Sequence, residues 1–477
     1  MSYRRGKIPE VGAVKKDWGG KLSVALVFPN KYEVGMANLG FQAIYSLLNS
    51  FPDIVCERFF LECEGSIESG RPPSDFDVIA FSLPFELDWI NAVNFLKSSK
   101  IPPLREERDR THPLVIAGGI SVTANPIPLS PFMDLFIIGD GEPVIPLFIE
   151  ALREFGDDKE GLINFLRDKD GIWAGGRGRR AWADINKFPI HTFIFSRRTE
   201  FGDMFLVEME RGCPFRCKFC LVGNISKPSR FLREDKVLDV ASRGLELTKN
   251  IGLIGSSLDE HPDIEEIVRK LYKMGARISV SSLRIDRLKT PVLENIRRSG
   301  TRSITVAPEA GTERLRKLIG KGIRDEDIEE GAFKIKIAGI REVKLYFMFG
   351  IPGEDEGDIR AIRDVASKFR DVKLTINFSP FIPKAHTPFE RLPMERKETL
   401  EEKIKLIRSL LKGYELKFES PSLSLLQGVL SRGDENVGRS ILELERIREW
   451  ERIIPSWEKY VYGELKGELP WDKIDVG

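Results

Sequence analysis

Cysteine and histidine are scarce in this 477-residue sequence, with five and four copies. Five cysteines are too few for a disulfide framework and suit a reducing compartment. A surplus of charge is also missing. Lys+Arg (74) and Asp+Glu (73) nearly cancel, to a formal net charge of +1, so no bulk charge argues for binding nucleic acid or a membrane surface. No apolar run reaches membrane-spanning length, and there are no internal repeats or low-complexity tracts. The opening MSYRRGKIPEVG lacks the apolar core of a signal peptide, so the expected location is the cytoplasm. What remains, 42% hydrophobic and 31% charged, is a globular composition with length for two or three domains.

Three of the five cysteines fall within eight positions, in the stretch EMERGCPFRCKFCLVGN that runs from Glu208 to Asn224. Cys213, Cys217 and Cys220 form a C-x3-C-x2-C pattern. The apolar run Phe205-Leu206-Val207 leads into it as a strand end, and loops leaving strands carry the chemistry of α/β folds. Thiolates bind iron–sulfur clusters and zinc, both usually with four protein ligands. Three closely spaced thiolates can hold three irons of a four-iron, four-sulfur cluster and leave the fourth iron open to a small molecule. A structural zinc knuckle is the competing reading. No fourth ligand lies nearby, and the next histidine, His261, is far outside zinc-finger spacing. Chance core cysteines are a third reading, and the clustering argues against it.

In the N-terminal third, Leu22 to Phe28, Asp77 to Leu83, Leu114 to Ala117 and Leu135 to Ile138 are short, almost purely apolar runs, as buried parallel strands should be. Segments of helical apolar spacing follow the first, second and fourth. Several runs end in small residues or glycine, notably Ser82, Gly118-Gly119 and Gly139-Asp140-Gly141. Alternating strands and helices predict a doubly wound parallel sheet that binds ligands beyond the carboxyl ends of its strands. The glycines fit close approach of a bulky ligand, and equally fit tight turns alone. Gly171 to Ala183 breaks in composition and reads as a connection. From about Phe201 strand-then-helix units repeat, with candidate strands at 204–208, 251–255, 277–281, 302–307, 342–348 and 373–378.

The cysteine spacing, with an aromatic residue (Phe219) before the last cysteine, resembles the signature of the radical S-adenosylmethionine (radical SAM) superfamily. In that family the open iron is chelated by S-adenosylmethionine, and an electron from the cluster cleaves the sulfonium to methionine and a 5′-deoxyadenosyl radical. The phrases AFSL, VIAGGISVTANP and FIIGDGE resemble the cobalamin-binding domain that precedes the core in one branch. The Asp-x-His-x-x-Gly loop of other cobalamin proteins is absent, its place taken by NKYEVGMANLG. The resemblance covers nearly the whole chain and fits one uncharacterised subfamily.

The fold class it implies is α/β: a Rossmann-like domain of cobalamin-binding type (1–170), a linker (171–200), a partial (β/α)6 TIM-like barrel (201–394) and a small helical C-terminal region (395–477). Around S-adenosylmethionine it implies Phe219, Gly255 and Ser256 after the second barrel strand, Ser282 and Arg284 after the third, Glu309 after the fourth, and Gly350, Pro352 and Gly353 after the fifth. For Arg284 the alternative is a surface arginine. Around cobalamin it implies Ser82, Gly118, Gly119, Gly139 and Gly141. Arg432, Asp434, Trp471 and Asp472 are expected either at the barrel mouth or, for Trp471, in packing. The cofactors are then a 4Fe-4S cluster, S-adenosylmethionine and, as one of two readings, cobalamin. The partner is a small electron donor such as flavodoxin or ferredoxin. The expected reaction is reductive cleavage of S-adenosylmethionine, with either cobalamin-dependent methyl transfer or a rearrangement or oxidation without cobalamin. A non-catalytic iron–sulfur electron carrier is the alternative from another class. With only Cys56 and Cys63 in the N-terminal third, read as ordinary thiols, methylthiolation is disfavoured.

Overall fold

Alternation of apolar and polar residues is largely missing from the N-terminal strands because both faces of their sheet are covered. In the computed structural model, which describes residues 9–477, β1 (Leu22–Val27), β2 (Ile54–Phe59), β3 (Val78–Ser82), β4 (Leu114–Gly118), β5 (Leu135–Ile137) and β6 (Ile172–Trp173) form one sheet in the order β2-β1-β3-β4-β5-β6. The first five are parallel and β6 is antiparallel. Val24, Leu26, Val78, Ala80 and Ile116 face the helices Leu39–Ser50 and Val144–Phe155. Ala25, Val27, Ile79, Phe81 and Ala117 face the helix Asp88–Ser98 and, unexpectedly, C-terminal residues such as Leu426, Val429, Ile441 and Val461. β1, β3, β4 and β5 therefore read as almost purely apolar runs. The first eight residues, which include most of the stretch read for a signal peptide, lie outside the described residues.

Two stretches differ from expectation. The connection predicted from Gly171 onward supplies β6 to the sheet edge, and then β7 (Gly178–Arg179), which pairs in parallel with β17 (Ile474–Asp475). The segment between the first two predicted strands contains β2, so Cys56 is a buried strand residue and Cys63 a half-buried one after it.

The second half is an open barrel. β8 (Phe205–Glu208), β11 (Asn250–Ile254) and β12 (Arg277–Val280) form one parallel group. β13 (Ser303–Glu309), β14 (Glu342–Phe349), β15 (Lys373–Pro380) and β16 (Glu415–Phe418) form the other. A single bridge, Leu283 to Val306, joins them. The short pair β9 (Glu210–Arg211) and β10 (Arg230–Phe231) flanks the cysteine loop. All six predicted barrel strands are present, and β16 adds a seventh from the C-terminal region. Among the described residues no helix is long and apolar enough to cross a membrane.

Of the four C-terminal residues considered for the barrel mouth, three are tied to neighbouring elements: Asp434, Arg432 and Trp471. Asp434 caps the helix Glu435–Ile441 and accepts from the Tyr460 hydroxyl at 2.8 Å. Arg432 is buried, donating to the carbonyls of Glu390 and Leu392. Trp471 is 0% exposed and donates to Glu390 at 2.7 Å. Trp471→Ala should therefore cost about 3–5 kcal/mol, read as a lower unfolding midpoint with iron content unchanged. Loss of iron without loss of stability would contradict this packing role.

Candidate functional site

The cysteine loop starts where β8 ends. Gly212 takes φ +89°, and a Cβ there would lie 2.3 Å from the Ser226 carbonyl oxygen, so only glycine lets the chain turn into the loop. The loop is then fastened from within. Asn224 donates its side-chain amide to the carbonyls of Cys217 (3.0 Å) and Cys220 (2.7 Å), and Cys220 N–H bonds Cys217 at 3.1 Å. It is fastened to the barrel by Lys218, whose N–H bonds the Ile319 carbonyl at 2.9 Å and whose carbonyl accepts from Phe389 at 3.1 Å. Phe219 packs against a cluster of Ala310, Leu315, Ile319, Ile351, Phe381 and Phe389, at the carboxyl ends of β13, β14 and β15. The loop thus lies across the barrel mouth.

All three thiols are free, Cys217 buried and the other two half-buried. Burial pushes the Cys217 thiol up to about 11, while Lys321 and Arg284 pull the other way. Burial also raises Cys213, against hydrogen bonds from the Phe215 backbone and the Ser257 hydroxyl. Among the described residues no three His, Cys, Asp or Glu side chains are grouped tightly enough for one metal ion. A cluster does not need that, because each thiolate takes its own iron. Soft donors on one rigid loop, with two cations beside the most buried thiol, fit an anionic 4Fe-4S group, whose binding would displace the thiol protons.

Around the loop the predicted residues fall into three places. Arg284 is 8% exposed, not a surface arginine: its guanidinium lies 3.8 Å over the Phe215 ring, pairs with Asp286 at 3.0 Å and donates to the Lys321 carbonyl. Glu309 sits at a register shift in β13, in the left-handed region at φ +72°, and pairs with Lys321 at 3.1 Å. A non-glycine residue held there is strained, and such strain gathers at functional sites. Burial works against the Lys321 charge, but Glu309 and Cys217 outweigh it and hold its ammonium above the ordinary lysine range.

Gly255 and Ser256 lie across from Glu210, a residue the sequence reading passed over. Ser257 donates its N–H and hydroxyl to the Glu210 carboxylate, and burial pushes that carboxyl up to about 7 against those bonds. Ser282 is exposed, next to Ser281, whose hydroxyl bonds the Gly255 carbonyl at 2.6 Å. Gly350, Pro352 and Gly353 form the turn after β14, which reaches the cysteine loop through Ile351 and Phe219.

The five residues expected near cobalamin, Ser82, Gly118, Gly119, Gly139 and Gly141, all line one cavity of about 370 Å³. It extends from β1, β3 and β4 to Glu208, Arg211 and Ile225 of the barrel. None of the four histidines borders it. Two of the glycines answer to the backbone as well: a Cβ on Gly119 would meet the Leu83 carbonyl oxygen at 2.3 Å, and on Gly139 that of Ala181 at 2.2 Å. At the junction, Arg211 binds Asp140 (3.2 Å) and Glu142 (2.8 Å) of the loop after β5 and Glu208 (2.7 Å) of β8. A second cavity, of about 1120 Å³, opens on Cys213 and Arg216.

The profile described as "Radical SAM proteins, N-terminal" matches residues 40–174, and "Radical SAM superfamily" matches 207–366. An uncharacterized protein of Methanocaldococcus jannaschii is 33% identical over 426 residues, 87% of this chain and 90% of that protein. A putative methylthiotransferase of the same organism is 24% identical, over 63% of this chain and 67% of its own length. Two solved structures share the fold at 14% identity. TsrM, a radical S-adenosylmethionine methyltransferase from Kitasatospora setae with cobalamin and a [4Fe-4S] cluster bound, has a TM-score of 0.61 and covers 91% of this chain and 99% of its own. OxsB, a cobalamin-dependent radical enzyme with aqua-cobalamin and S-adenosylmethionine bound, has a TM-score of 0.57 and covers 91% and 70%. With its cysteine loop, its open barrel and these two profiles, the chain belongs to the radical SAM superfamily and is an enzyme of it.

Proposed function

We propose that this enzyme transfers a methyl group to an unreactive carbon or phosphorus, with cobalamin held in the N-terminal cavity and S-adenosylmethionine at the cysteine loop. The observation that carries the reading is the cavity: all five strand-end residues line it, and its far wall is β8 and Arg211, immediately ahead of Cys213. The sheet order β2-β1-β3-β4-β5 puts that cavity at the switch point of a doubly wound fold, where such sheets bind ligands. When bound, the cluster supplies the electron that cleaves the sulfonium, and methylcobalamin supplies the methyl group.

The chain's own residues have separate tasks. Cys213, Cys217 and Cys220 hold the cluster. Phe219, Gly255, Ser256, Ser282, Glu309, Gly350, Pro352 and Gly353 surround the mouth at which S-adenosylmethionine binds, and Arg284 fixes Phe215 of the cysteine loop there by stacking. The covered barrel mouth keeps water from a reactive radical. None of the four histidines lines the cavity, so a cobalamin held there would be offered no imidazole by the wall. Only two cysteines, Cys56 and Cys63, lie outside the loop, which supports methyl transfer over the methylthiolation named for the 24% relative. A small one-electron protein such as flavodoxin or ferredoxin is the reductant.

Anaerobic addition of hydroxocobalamin, desalting and an absorption spectrum test this reading. The expected result is about one cobalamin retained per chain, with Ser82→Trp abolishing retention and leaving iron content unchanged. Protein with a full cluster that retains none sinks it, and leaves a sheet that only positions substrate, with the radical performing a rearrangement or oxidation.

A further inference from the structure

Behind Cys217 the chain spends an unusual amount of geometry on one lysine. Lys321 stands between Gly320 (φ +74°) and Gly322 (φ +68°), two left-handed positions that only glycine adopts cheaply. A Cβ on Gly320 would approach the Arg216 carbonyl oxygen to 3.2 Å, so the loop is seated directly on the cysteine loop. Arg284, itself stacked on Phe215 at 3.8 Å, donates to the Lys321 carbonyl at 2.8 Å and fixes the loop from the other side. The Lys321 side chain is only 10% exposed, and its charge acts on the Cys217 thiol. Its carboxylate partner is Glu309 at 3.1 Å, a residue itself held at a strained φ of +72°. A lysine needed merely to pair with a glutamate would not require a loop built against the cysteines.

We propose that Lys321 is a positioning residue for charge: it raises the reduction potential of the cluster held by Cys213, Cys217 and Cys220, and Glu309 sets how far. The inference rests on the cluster reading above. The electron count fixes the sign. A four-iron core of charge +2 with three thiolates carries −1, and one electron from a donor protein takes it to −2, with no proton transferred. A buried ammonium beside one thiolate stabilises the −2 state more than the −1 state, so it makes reduction easier. Glu309 opposes this with the other sign. Little solvent reaches either group to screen them.

The test is a redox titration of the cluster-loaded full-length protein, without S-adenosylmethionine, followed by electron paramagnetic resonance of the reduced cluster. Lys321→Met should lower the reduced-to-oxidised ratio at a fixed potential roughly tenfold, which is about 59 mV for a one-electron couple. Glu309→Gln should move the midpoint the opposite way, and Lys321→Arg should keep it near wild type. Opposite signs separate a charge effect from a disturbed loop, which would move both variants alike. If Lys321→Met fails to hold iron, the direction of Glu309→Gln decides. An unmoved midpoint in Lys321→Met, or shifts of the same sign in both variants, overturns the inference and leaves the cluster reading intact. Wild-type protein that takes up no cluster overturns both.

Discussion

Replacing Cys213, Cys217 and Cys220 together by alanine is expected to reduce iron from about four per chain to near zero and 5′-deoxyadenosine formation to below detection. Single substitutions should cost nearly as much, because residues that act as a unit lose function together. The loop is fastened by contacts with the chain itself. Asn224 holds two of its carbonyls, and Lys218 and Phe219 fix it to the barrel. The variant should therefore keep its fold and lose its chemistry. Cys56 and Cys63 are the internal controls. Cys56 is enclosed in the N-terminal core, where burial raises its thiol well above the usual range. Cys63 lies on the loop after β2, its thiol also raised by burial. Cys56→Ala and Cys63→Ala should retain full iron and deoxyadenosine yield. Anaerobic reconstitution with iron and sulfide analysis, then chromatography after dithionite reduction, reads both quantities. A wild-type level of cluster in the triple variant would show that the ligands lie elsewhere.

The cysteines were legible because all three sit on one loop, and the barrel strands because their alternation or apolarity survives in the local sequence. What could not be read was set by partners far along the chain. β2 has the sequence IVCERF, with two charged residues inside it. Glu57 and Arg58 are both buried, Arg58 held by Glu10 and Glu68 at 2.7 and 2.6 Å. A strand whose interior is polar but paired fails a test of apolarity. β16, with the sequence ELKF, alternates exposed charges along a sheet edge and was absorbed into the expected helical region. β6 is two residues long, below any periodicity. The charged junctions are more remote still. Asp140 meets Arg230 across 90 positions, and Glu86 meets Lys384 across 298. Lys321 and Glu210 had a signal of a kind, a lysine between two glycines and a glutamate just ahead of the cysteines. Neither pattern says what the residue faces until the loops are folded together.

Arg211 is the place where the two halves depend on each other most, and Arg211→Leu should destabilise the protein by about 3–5 kcal/mol. Its guanidinium is 15% exposed and holds three carboxylates at once: Asp140 and Glu142 from the loop after β5, and Glu208 from β8. Burial would raise Asp140, but Arg211 and Arg230 outweigh it and hold its carboxyl below the ordinary range. For Glu208 burial wins, with Arg211 in opposition, and its carboxyl is already raised. Without Arg211, Asp140 keeps Arg230 at 2.5 Å, while Glu142 and Glu208 lose the cation that binds them. The Glu208 carboxyl pKa then rises further above that of the unfolded chain. A buried acid of raised pKa binds its proton more tightly folded than unfolded, so it destabilises at high pH and less as the pH falls. The deficit of Arg211→Leu should accordingly be largest at neutral and alkaline pH and shrink towards pH 5. Glu208→Gln added to Arg211→Leu should recover part of the loss at neutral pH, because it removes one of the stranded charges. Unfolding midpoints of wild type, Arg211→Leu and the double variant across pH measure this directly. Equal midpoints for wild type and Arg211→Leu at neutral pH, or a deficit that grows on acidification, would mean that the junction is held by something other than this arginine.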